Sequence, residues 1–153
     1  MAQSEDRSLF TVGVFQDATW AERGLDALKR HGFGPEALSV IARQSDDVAG
    51  VVERALGGSA ASVEVSGLGA AIAQGSLVGA LQGKDEALGR SGIAATVARA
   101  GFQAHDGYIF ETLTARGGVL VAVESEPLAA DALTVLHAYG GGNAAIGAWT
   151  GRV

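Results

Sequence analysis

The amino-acid sequence predicts an α+β protein with a ferredoxin-like pair of strand–helix–strand units, one at each end, forming one antiparallel sheet. Two observations lead to this fold class. Short β-branched and aromatic runs alternate with stretches whose apolar residues recur at helical spacing. The pattern of residues 11–42 also returns without a gap at an offset of 108 positions, from Thr11 to Val119. A three-layer α/β fold, with the middle segment covering the other side of the sheet, is the alternative.

The first unit spans residues 9–43. Its opening residues are β-branched and aromatic, which is typical of a strand. Asp17 or Thr19 is suited to cap the helix that follows, because either side chain accepts a backbone N–H. Gly32 ends that helix, since glycine adopts the left-handed conformation that a helix end needs. Residues 37–42 predict the second strand.

The second unit spans residues 117–151 and repeats the first. The correspondence joins the first strands, the helix-ending glycines and the second strands of the two units: Thr11–Phe15 with Val119–Val123, Gly32 with Gly140, and residues 37–42 with 145–150. We therefore expect a single domain over residues 1–153, with residues 44–116 as an insert between two halves of one sheet.

The insert is predicted to be mainly helical. Its elements begin with a helix over 48–56 capped by residues 45–47 and an ambiguous stretch over 59–66, in which residues 62–65 alternate as an edge strand does. A charged turn over 84–90 and helices over 93–100 and 104–116 follow.

The centre of the insert carries a small residue at every fourth position: Gly67, Ala71, Gly75, Gly79 and Gly83. On a helix these residues form one smooth face that another backbone can approach closely. Each interior glycine costs a helix about 1 kcal/mol relative to alanine, so such a face needs an offsetting contact. We predict a helix whose face packs within the fold or between subunits. A flexible glycine-rich loop and a short membrane span are the alternatives, and membrane association is not favoured.

Two segments and the Gly/Ala-rich centre between them resemble the bacterial heat-induced, or general stress, protein domain family. The segments are TVGVFQDATWAERGLDALKRHGFGPEALSVIAR (residues 11–43) and GFQAHDGYIFETLTARGGVLVAVE (residues 101–124). In that family a helix with a tyrosine and an acidic residue precedes a Gly-Gly pair and a Val-rich strand; Tyr108, Glu111 and Gly117-Gly118 match this pattern. The family's longer, more apolar centre is shortened here and interrupted by glutamine and charged residues. The resemblance implies a stress-linked accessory role and no particular reaction.

Composition excludes several classes of function. The net charge is −6, and the 11 basic residues are scattered among 17 acidic ones, so a nucleic-acid partner is not expected. The sequence has no cysteine, which excludes disulfides, thiolate catalysis and Cys-ligated metals. We expect a cytoplasmic location, because a chain without disulfides suits a reducing compartment and the polar N-terminus is not followed by a signal-type apolar run.

No catalytic motif is present, and no enzyme activity, metal or cofactor is expected. The sequence has neither a Gly-x-Ser-x-Gly elbow nor a P-loop. His31, His105 and His137 are interpreted as capping or surface residues. The run Gly140, Gly141, Gly142 and Asn143 offers backbone N–H groups for a ligand or anion, with a plain turn as the alternative.

These observations predict a non-catalytic, stress-associated accessory protein that acts through self-assembly or protein–protein contacts. We expect a homo-oligomer or a protein partner. The alternatives are a small-molecule-sensing ferredoxin-like module and a membrane-peripheral stress protein.

Overall fold

The structure, a computed structural model, describes residues 10–58, 62–97, 102, 104–124, 134–135 and 138. This part of the chain is an α+β fold, as predicted, with one sheet and helices packed against it. The strands are β1 (Phe10–Phe15), β2 (Leu38–Arg43), β3 (Ser62–Val65), β4 (Gly69–Gly75) and β5 (Val119–Glu124). The helices are α1 (Ala18–Arg30), α2 (Asp46–Leu56), α3 (Ser76–Gln82), α4 (Ala87–Ser91), α5 (Ile93–Thr96) and α6 (Ala104–Ala115), and a 3-10 turn (Pro35–Ala37) precedes β2.

The sheet has the strand order β1-β5-β2-β4-β3, and every neighbouring pair is antiparallel. β5 lies between β1 and β2, with Val12 opposite Ala122 on one side and Val40 opposite Val121 on the other. β1 and β2 therefore run parallel to each other on either side of β5. The helix of the predicted second unit lies mostly, and its last strand wholly, outside the described residues, so the duplication stays a prediction.

Helices cover both faces of this sheet. α1 and α2 pack on one face, in a cluster that includes Val119, Val121 and Val123 of β5. α3, α4, α5 and α6 pack on the other face, in a cluster that includes Leu120 and Ala122. Because side chains alternate between two buried faces, β5 is a continuous apolar run. The described residues thus have the layering of the three-layer alternative.

The first helix has the bounds and the cap that the sequence predicts. Asp17, one of the two candidate caps, accepts a hydrogen bond from the Trp20 backbone N–H at 3.0 Å. Gly24 faces β1, where a Cβ atom would lie 2.8 Å from a ring carbon of Phe15, so glycine allows α1 to lie close to the sheet. Gly32, with φ +102°, follows the end of the helix.

The second helix begins after Ser45, one of the three residues predicted to cap it. The Ser45 hydroxyl accepts the Val48 backbone N–H at 3.1 Å, and Gly57 ends α2 with φ +82°. Lys29 of α1 donates to the carbonyl oxygen of Ala55 at 3.2 Å. That bond satisfies an orphan carbonyl in the last turn of α2 and ties α2 to α1.

The prediction of one helix over residues 67–83 is wrong. β3 and β4 form a hairpin, β4 pairs with β2, and α3 begins only at Ser76. Gly67, Gly69 and Gly75 have φ angles of +90°, +81° and +119°, which no right-handed helix contains. Glycine therefore recurs here because a turn and a strand end need positive φ. Pairing with β2 overrides the low strand propensity of the alanines in β4.

The rest of the insert differs from prediction in detail. The predicted charged turn over 84–90 overlaps α4, which spans Ala87–Ser91. α5 is a short helix within the predicted range 93–100. α6 matches the predicted helix over 104–116, and Gly117, with φ +105°, follows it.

Candidate functional site

The junction between β4 and α3 contains no loop, and its geometry depends on glycine. A Cβ atom at Gly75 would lie 2.5 Å from the Ser39 Cα atom of β2, so no other residue fits there without moving the backbone. Gly75 is the N-cap of α3 and has no side chain to offer. The Ser39 hydroxyl replaces the missing cap and accepts the Leu77 N–H at 2.8 Å. Sequence reasoning did not identify Ser39, because its partner lies 38 positions away and no local pattern joins them.

The next residue, Ser76, has a buried hydroxyl oxygen with no hydrogen-bond partner among the described residues. Ser39 and Ser76 therefore form a contrasting pair at one junction. The hydroxyl of Ser39 caps a helix, and that of Ser76 bonds to no described group.

The outward surface of α3 presents bare backbone. Gly79 and Gly83 are four residues apart and both exposed, so they lie on one side of the last helical turn. The Gly83 N–H donates to the Gly79 carbonyl at 3.0 Å and closes that turn. Gly83 has φ +58°, which accounts for glycine at the helix end. Gly79 has no such backbone requirement.

Gly79 differs from the other described helical glycines in having space around it. Among the described residues, a Cβ atom at Gly79 would have no neighbour within 4 Å. At the others, a Cβ atom would meet a close neighbour: the Phe15 ring at Gly24, the Arg54 guanidinium at Gly50, the Glu64 carbonyl at Gly89 and the Val97 side chain at Gly107. The described fold thus gives no packing reason for glycine at position 79.

The five small residues predicted to share one helix face do not lie together. Gly67 lies in the turn between β3 and β4, and Ala71 is fully buried within β4. Gly75 ends β4 and is the N-cap of α3, Gly79 lies within α3, and Gly83 is its C-cap. The predicted ligand contacts Gly140, Gly141, Gly142 and Asn143 lie outside the described residues.

Glu111, one of the residues that carry the family resemblance, lies against two glycines. Its carboxylate oxygen Oε2 would be 2.9 Å from a Cβ at Gly67 and 2.6 Å from one at Gly92. Both glycines have positive φ, so α6 packs here on two positions that favour glycine. Tyr108, one turn earlier on α6, is 67% exposed.

A groove of about 210 Å³ runs between the first turns of α1 and α2. Arg54 bridges it, with Nε 2.5 Å from Glu22 Oε2 and Nη2 2.8 Å from Oε1. These hydrogen bonds hold the pKa of the Glu22 carboxyl below its ordinary value, and they raise the pKa of Arg54. Asp46 and Asp47 line the same groove at the N-terminus of α2, where negative charge complements the helix dipole.

The described histidines do not converge on a common site. His31 is the exposed C-cap of α1, and His105 is exposed in the first turn of α6. Within the described ranges, no group of three or more His, Asp or Glu residues is placed to hold a metal ion. The predicted absence of metal, cofactor and catalysis stays a prediction.

None of the helices in the described part of the chain is long and apolar enough to cross a membrane. Comparison with known proteins gives no relative: no family model, curated protein or solved structure matches this chain. The fold and the surface of α3 are therefore the basis for a functional proposal.

Proposed function

We propose that this protein is a cytoplasmic, stress-associated accessory protein that acts without catalysis, by assembling with copies of itself or with a protein partner. The stress-linked part rests on the family resemblance. The contact surface that we propose is the outward side of α3 around Gly79 and Gly83. These are two of the five small residues that the sequence predicted to form a contact face.

The observation that carries the proposal is the exposed, unhindered Gly79. An interior helical glycine costs about 1 kcal/mol relative to alanine. No contact within the described part of the chain offsets that cost, because a Cβ atom at position 79 would lie more than 4 Å from every described neighbour. Close approach of another chain to the bare backbone of α3 supplies the offset, as small residues do at tightly packed helix interfaces.

The test is the mass in solution of the wild-type protein and of Gly79→Leu, measured by analytical ultracentrifugation at micromolar concentration. We expect the wild type to be assembled and the variant to dissociate while keeping its circular dichroism spectrum, because Gly79 is exposed and a Cβ atom there meets none of the described residues. A wild type that is strictly monomeric at micromolar concentration, or a variant that assembles normally, would refute the proposal.

Gly50→Leu is the matched control. It places the same side chain on α2, across the sheet from α3. The Cβ position lies 3.0 Å from the Arg54 guanidinium that pairs with Glu22, so the Tm of this variant is recorded beside its mass. We expect it to assemble like the wild type. Gln82→Ala is less suitable, although Gln82 lies in the last turn of α3, because its Oε1 accepts the Gly89 N–H at 2.9 Å and its loss disturbs α4.

We also propose the ferredoxin-like duplication as the frame for this surface. Support comes from the parallel pair β1 and β2 with the antiparallel β5 between them, which is the arrangement of a split strand–helix–strand unit. Val135 adds support, since it is buried in the cluster that holds α1. In this proposal residues 145–150 pair with the outer edge of β1.

Hydrogen exchange of the backbone amides in β1 tests the duplication. Ala148→Pro removes a donor from the proposed strand, so it should speed exchange of the β1 amides that do not bond to β5. Gly142→Pro, in the glycine-rich run before that strand, should leave their exchange unchanged. Equal protection of β1 in both variants would count against the duplication.

A further inference from the structure

We draw no further inference here: the strongest candidate, the groove between the first turns of α1 and α2 lined by Thr19, Glu22, Asp47 and Arg54, consists of two capped helix N-termini and a cluster of carboxylates, and no second feature among the described residues points to a ligand.

Discussion

Ser39 and Ser76 carry two hydroxyl groups at the junction of β4 and α3, and replacing each with alanine tests how that junction is held. The Ser39 hydroxyl accepts the N–H of Leu77, and both residues are buried, at 0% and 3% exposure. Without it the buried N–H has no acceptor, which costs about 1–3 kcal/mol. The Ser76 oxygen is buried and has no partner among the described residues. Ser76→Ala should therefore either raise the free energy of unfolding or lower it by no more than about 0.5 kcal/mol.

Urea unfolding followed by circular dichroism measures both changes. All samples need one protein concentration, because assembly makes apparent stability concentration-dependent. For a chain of this length each kcal/mol corresponds to about 2–4 °C in Tm, so a thermal melt provides a second reading. If Ser76→Ala is as destabilising as Ser39→Ala, the hydrogen bond from Leu77 to Ser39 does not account for the stability of this junction, and the prediction is wrong.

Two further predictions concern helix packing and charge. Gly107→Ala should destabilise the fold by about 1–3 kcal/mol through overpacking, because the Cβ would lie 3.2 Å from the Ala94 carbonyl oxygen and closer to Val97; an unchanged or higher Tm would contradict this. Glu22→Gln should lower stability at neutral pH, and the difference from wild type should shrink in acid. The folded state lowers the pKa of Glu22, so the stabilisation by Arg54 is present above the unfolded pKa and lost as pH falls through the folded pKa. Denaturation across a pH series measures the difference, and one that grows in acid would contradict the assignment.

Local signals predicted the first third of the chain well. Asp17 and Ser45 cap their helices through their own side chains, to backbone groups three residues away. Gly57 ends α2 with positive φ. Such signals act within one helical turn, so the sequence contains all the information that they need.

The middle of the chain was predicted less well, because two physical requirements produce the same spacing of glycines. Gly67, Gly75 and Gly79 all fit a spacing of four residues. Glycine is needed at positions 67 and 75 because the backbone there has positive φ, whereas Gly79 lies in a helix and has no such requirement. No local rule separates these cases, since the strand character of β4 depends on its pairing with β2. For the same reason the five small residues do not share one helix face: Gly79 lies in α3, Gly75 and Gly83 flank it, and Gly67 and Ala71 precede it. The contact surface itself stays a prediction.

By itself, the sequence determined the α+β class, the candidate caps of α1 and α2, the strand that begins at Val119 and the position of α6, because each depends on neighbours along the chain. The tertiary structure decided that β5 lies between β1 and β2, that helices cover both faces of the sheet, and that Ser39 caps a helix 38 positions away. It also separated the small residues of the centre into a turn, a strand and one short helix. Each of these depends on contacts between distant segments, and the free energy of such contacts outweighs the modest preferences of single residues for helix or strand.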